Sequence, residues 1–73
     1  MPQIVFDKIE FIIMLISEFA QRYGMTEAEA YRYLKTYDAL RLCERHYGAM
    51  HTLSLADNLD ALQTYCKRKG GRL

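Results

Sequence analysis

Between Ile9 and Tyr23 the apolar residues Ile9, Ile12, Ile13, Ile16, Phe19, Ala20 and Tyr23 recur at i, i+3, i+4 and i+7 spacing without a miss. That period belongs to one face of an α-helix and is incompatible with a strand, whose side chains alternate every second residue. Asp7 stands where an N-cap belongs, and Gly24 can adopt the left-handed conformation that closes a last turn. The spacing therefore predicts a first helix over about 8–23, and a chain of 73 residues that opens this way must build its core around it.

The remaining signals are also helical. Thr26 and Glu29 form an S/T-x-x-E capping box, in which each side chain satisfies a free backbone N–H at the other's position. A second helix over 27–37 follows, with Ala30, Tyr33, Leu34 and Tyr37 inward and Glu27, Tyr31 and Lys35 outward. Asp38 reads as a break or a further cap, opening a third helix over 39–47 that faces Leu40, Cys43 and Tyr47 inward and stops at Gly48. After a connector from Ala49 to Leu53, Ser54 and Asp57 repeat the capping logic. A fourth helix over 55–69 places Leu55, Leu59, Leu62 and Cys66 on one face and ends at Gly70-Gly71. The expected fold is all-α: one domain over 1–73, a compact four-helix orthogonal bundle with a helix-turn-helix-like middle and the first helix at its centre.

A core of this size supplies only about 3–5 kcal/mol of net stability, so a partner is the cheapest reinforcement. The first helix suggests where it would bind. At about 100° per residue, Phe11 and Leu15 fall nearly opposite the main stripe and Met14 on its flank, which makes the middle of the helix apolar almost all round. Two explanations fit: three neighbours bury the whole circumference, or Phe11, Met14 and Leu15 belong to an intermolecular surface. Tyr31, on the outer side of the second helix, is the best exposed tyrosine for such a surface, because tyrosine suits half-wet interfaces.

Composition narrows the functional classes. The apolar share of 51% and charged share of 26% fit a folded globule. No apolar run approaches the roughly 20 residues of a membrane span, and two thiols without a leader pattern fit a reducing cytosol. The formal charge of +1 conceals an acidic body: residues 1–66 hold six of the ten basic side chains and all nine acidic ones, a net of −3. That sign disfavours wrapping nucleic acid. A helix-turn-helix reading remains as the alternative, with Arg41 and Arg45 entering a major groove and Lys67, Arg68, Lys69 and Arg72 holding phosphates. The same C-terminal cations also suit the negative end of a helix dipole.

Catalytic and metal patterns are poor. Cys43, His46, His51 and Cys66 allow a four-ligand zinc site on paper but lack the tight knuckles that fix two ligands locally. A Cys43–His46 nucleophilic pair would need a thiolate and an oxyanion hole, and no glycine-rich strand-to-helix turn offers one. No phosphate-cradling motif is present, so neither cofactor nor small-molecule substrate is expected. The turn His46-Tyr47-Gly48-Ala49-Met50-His51-Thr52 has a structural explanation, in which imidazole and hydroxyl groups tie down peptide groups left open between helices. Its alternative is a recognition loop.

The segments Lys8-Ile9-Glu10-Phe11-Ile12-Ile13, Ala30-Tyr31-Arg32-Tyr33-Leu34, His46-Tyr47-Gly48-Ala49-Met50-His51-Thr52 and Lys69-Gly70-Gly71 together resemble the DUF3791-type family of short uncharacterised bacterial proteins. The resemblance covers nearly the whole chain, and the His-Tyr-x-x-x-His-Thr turn is its most specific part. It implies a bacterial protein often encoded beside one related to ADP-ribosyltransferases, and hence an accessory or antitoxin-like partner. The expected function is accordingly a non-enzymatic protein-interaction module, as a homodimer or with another protein.

Overall fold

Local capping chemistry sets the helix boundaries in the computed structural model, which describes residues 3–73, with side chains from residue 7 onward. The elements are α1 (Gln3–Tyr23), α2 (Glu27–Thr36), α3 (Ala39–Arg45), α4 (Tyr47–Met50) and α5 (Leu55–Arg68), and no strand occurs among the described residues. The chain is all-α, with four principal helices and one extra turn.

At the start of α2 the Thr26 hydroxyl accepts from the Glu29 amide at 3.1 Å, while the Glu29 carboxylate accepts from the Thr26 amide at 2.8 Å. The bond from the Thr26 amide, helped by the Thr26 side chain, holds the Glu29 carboxyl below its ordinary pKa. Ser54 repeats half of the device, accepting from the Asp57 amide at 3.1 Å to open α5. Gly24, with φ +67°, turns the chain from α1 into α2, a conformation a side chain would strain. Asp38 takes the left-handed conformation between α2 and α3 at φ +65°, and its carboxylate lies 3.5 Å from Arg41 Nε instead of capping the helix.

Three boundaries depart from expectation. Asp7 does not cap α1, because the helix begins four residues before it, at Gln3. Gly48 does not end α3; that helix stops at Arg45, and Gly48 lies inside the short α4. The segment read as a connector is thus largely a helical turn, closed by the His46 carbonyl, which accepts from the Ala49 and Met50 amides. Helix formation needs only local hydrogen bonds, and a glycine in so short a turn costs about 1 kcal/mol, too little to forbid it.

The core is a cluster built on Leu15, Phe19, Ala30, Leu34, Ala39, Cys43, Met50, Leu59, Leu62 and Cys66, with α1 touching α2, α3 and α5. Full burial of residues such as Phe19, Leu34 and Leu62 contributes about 1.5–3 kcal/mol each. Phe19 also holds aromatic neighbours on two sides, Tyr23 at 4.6 Å and Tyr33 at 5.9 Å between ring centroids. On α5 the expected stripe is displaced: Leu55 is exposed, and Asn58 is buried in its place. The Asn58 Nδ2 donates to the Met50 carbonyl at 2.9 Å and so ties α5 to the end of α4.

Candidate functional site

The orientation of α1 decides which apolar residues remain outside. Phe19 and Ala20 of the periodic stripe are buried and Ile12, Ile16 and Tyr23 pack against the core, but the buried arc also takes in Leu15, only 1% exposed, and leaves out Ile9 and Ile13. Leu15 is therefore no part of an outer surface. Phe11 is half-buried, its ring edge-on to Tyr47 at 5.4 Å, and it braces α4 against α1. The surplus of the all-round apolar helix lies elsewhere: Ile9 and Ile13, expected inside, are 48% and 58% exposed. Met14 is exposed as well, about 100° further round from Ile13, on a flank with Glu10 and Glu18.

Beside the open isoleucines, α1, α2 and α3 enclose a groove of about 320 Å³ lined by Ile12, Tyr31, Lys35, Asp38, Leu40, Arg41 and Glu44. The half-exposed Tyr31 forms one wall, with Lys35 Nζ 5.7 Å from its ring centroid. Tyr31 and Lys35 are one turn apart on α2, so the capping box upstream fixes the register that brings them to this side. On α1, Ile12, Ile16, Ile9 and Ile13 share an arc of about 100°, and the apolar strip therefore runs unbroken from the groove onto the open face. The groove's charged residues comprise two cations and two carboxylates, net zero.

A second depression, of about 440 Å³, lies across Glu44 and is lined by Asp7, Lys8, Glu44, Arg45, Tyr47, Gly48 and His51. Here the His51 ring stacks on Tyr47 at 4.7 Å, and His51 Nδ1 lies 2.8 Å from the Tyr47 carbonyl oxygen, to which the Nδ1–H tautomer donates. Thr52 donates its hydroxyl hydrogen to the Ala49 carbonyl at 2.7 Å. The Tyr47 and Ala49 oxygens also accept from the His51 and Thr52 amides, so each side chain adds a second bond within its own turn. His46 contributes its backbone only, and its side chain is exposed.

The thiols sit apart from either depression. Cys43 and Cys66 are both buried, and burial pushes each pKa up to about 11, so neither is an activated nucleophile. Among the described residues no group of three histidine, cysteine or acidic side chains could hold a metal ion. Among the described residues no helix is long and apolar enough to cross a membrane. On α3 the two arginines proposed for a DNA groove are exposed, but Arg41 is engaged with Asp38 and Glu44 stands between them.

The model of the family described as "Protein of unknown function (DUF3791)" covers residues 10–69. No curated protein and no solved structure matches the chain.

Proposed function

We propose that this chain, which belongs to the DUF3791 family, is a non-enzymatic protein-interaction module of the bacterial cytosol that works through the α1 face beside the Tyr31 groove. One observation carries the reading: Ile9 and Ile13 are about half exposed next to a groove whose floor continues the same apolar strip. Large apolar side chains grouped in this way mark association surfaces, whereas a chemical site needs reactive groups brought together. The buried thiols and the imidazole held by its own turn support the same choice.

The partner is a protein. The family resemblance suggests an ADP-ribosyltransferase-like neighbour, toward which the chain would act as an accessory or antitoxin-like subunit. Co-expression of the chain with such an adjacent gene product should give a complex that survives purification and that Ile13→Glu weakens at least tenfold. A neighbour that elutes free overturns the accessory role, and a complex indifferent to Ile13→Glu overturns the face. The DNA-binding alternative draws no support from α3, where Glu44 would face the phosphates alongside its two arginines.

A further inference from the structure

Resting on that reading of the face, we infer that in the purified chain its occupant is a second copy of the same protein, docked about a twofold axis. The chain carries both halves of a helix-in-groove contact side by side. Ile9 and Ile13, both exposed, stand at i and i+4, a spacing by which an amphipathic helix anchors itself in an apolar groove. The adjacent groove offers Ile12, Leu40 and Tyr31 as its apolar lining. When anchor and groove share one face, a twofold rotation places each anchor in the other copy's groove, and both are satisfied at once.

Charge argues for a like partner. The groove rim carries Lys35 and Arg41 against Asp38 and Glu44; Arg41 pairs with Asp38 inside the protomer, and Lys35 and Glu44 are the unlike pair that a rotated copy can bring together. A strongly basic or acidic partner would meet as much repulsion as attraction there, whereas a rotated copy presents the same alternating set and can oppose unlike charges. Open apolar area supplies the centre of such a seam. Ile9, Ile13 and Tyr31 leave about 300 Å² of surface open, taking side chains of roughly 200 Å² each. A standard interface takes about 800 Å² from each partner, a little over half of it apolar, and Ile12, Leu40 and the stems of Lys35 and Arg41 extend the patch toward that figure.

The test is light scattering coupled to size exclusion on the full chain, from about 1 to 200 µM, a range that brackets a dissociation constant in the micromolar range. Wild type should approach twice the mass of one chain as concentration rises. Ile13→Glu, with helical circular dichroism unchanged, should remain monomeric, its dissociation constant raised at least a hundredfold. Should Ile13→Glu lose helicity, the rim variant Lys35→Glu is read instead, with an expected tenfold rise. A wild type that stays monomeric at 200 µM overturns the inference while leaving the binding role to the neighbour's complex. A dimer unaffected by the variants, once folded, overturns the placement of the contact on this face.

Discussion

Ile13 and Leu15, two residues apart on α1, end in opposite surroundings: Ile13 is 58% exposed and Leu15 is 1% exposed. A rotation of about 200° separates them on the helix, so their unequal burial fixes how α1 is turned in the fold. Leu15→Ala should lower unfolding stability by about 2–5 kcal/mol, most of what a domain of this size holds, whereas Ile13→Ala should change it by no more than about 0.5 kcal/mol in the monomer. Urea titrations followed by circular dichroism, at concentrations low enough to avoid association, measure both. Equal losses at the two positions would show that α1 is rotated differently.

The C-terminal Gly70-Gly71 pair gives a second contrast. The Gly71 amide donates to the Cys66 carbonyl at 2.8 Å, and a methyl group built on Gly71 would stand 2.5 Å from the Tyr33 hydroxyl oxygen and 2.9 Å from the Cys66 oxygen. The backbone oxygen cannot step aside, so Gly71→Ala should cost about 1–3 kcal/mol. Gly48, in α4, has nothing within 4 Å of such a methyl, and Gly48→Ala should be neutral or stabilise by up to about 1 kcal/mol. Melting temperatures of the two variants should therefore move in different directions from wild type or differ by several degrees.

Asn58 is buried with its Nδ2 bonded to the Met50 carbonyl, while its Oδ1 has no partner among the described residues. Asn58→Ala should cost about 1–3 kcal/mol by removing a buried hydrogen bond and the packing of the side chain, although the Met50 oxygen keeps the Leu53 amide at 3.0 Å. Asn58→Asp, nearly the same shape, should cost more at neutral pH, because a buried carboxylate would face that carbonyl as a second acceptor. Burial raises the carboxyl's pKa in the fold, so the stability lost by Asn58→Asp should return as pH falls and the group becomes protonated. A wild-type-like Asn58→Asp at pH 7 would contradict the buried contact.

The thiols predict an alkaline limit. Both have folded pKa values of about 11 against an ordinary 9.0, raised by burial. Their contribution to stability is complete below pH 9 and disappears as pH rises through about 11, where the unfolded chain binds fewer protons than the folded one. Unfolding midpoints measured from pH 8 to 11 should fall, and replacing both cysteines by alanine should flatten that fall. At pH 8 a thiol reagent should modify the folded chain only as fast as it opens.

The sequence displayed the starts of α2 and α5 plainly because capping is a local signal: Thr26, Glu29, Ser54 and Asp57 each act within one turn. Periodicity likewise identified Ala30, Leu34, Leu59, Leu62 and Cys66 as core. It could not decide α1, since a helix apolar on nearly every side has no preferred inner face until its neighbours dock, and their contacts are non-local. An apolar surplus was legible; its placement on Ile9 and Ile13 rather than on Phe11 and Leu15 was not. Asn58 was missed for a related reason, as its partner, the Met50 carbonyl, is brought to it only when α5 docks against the end of α4.

Isoleucine methyl spectra of the wild-type chain, recorded at high concentration with a soluble paramagnetic agent, test self-association through the α1 face most directly. Within one protomer Ile9 and Ile13 lie open, so a free face would leave their methyl signals strongly broadened. The account predicts that both are protected as well as half-buried Ile12 and Ile16 in wild type and that Ile9 broadens once Ile13→Glu is introduced. Strong broadening of Ile9 and Ile13 in the wild-type chain at 200 µM would contradict it.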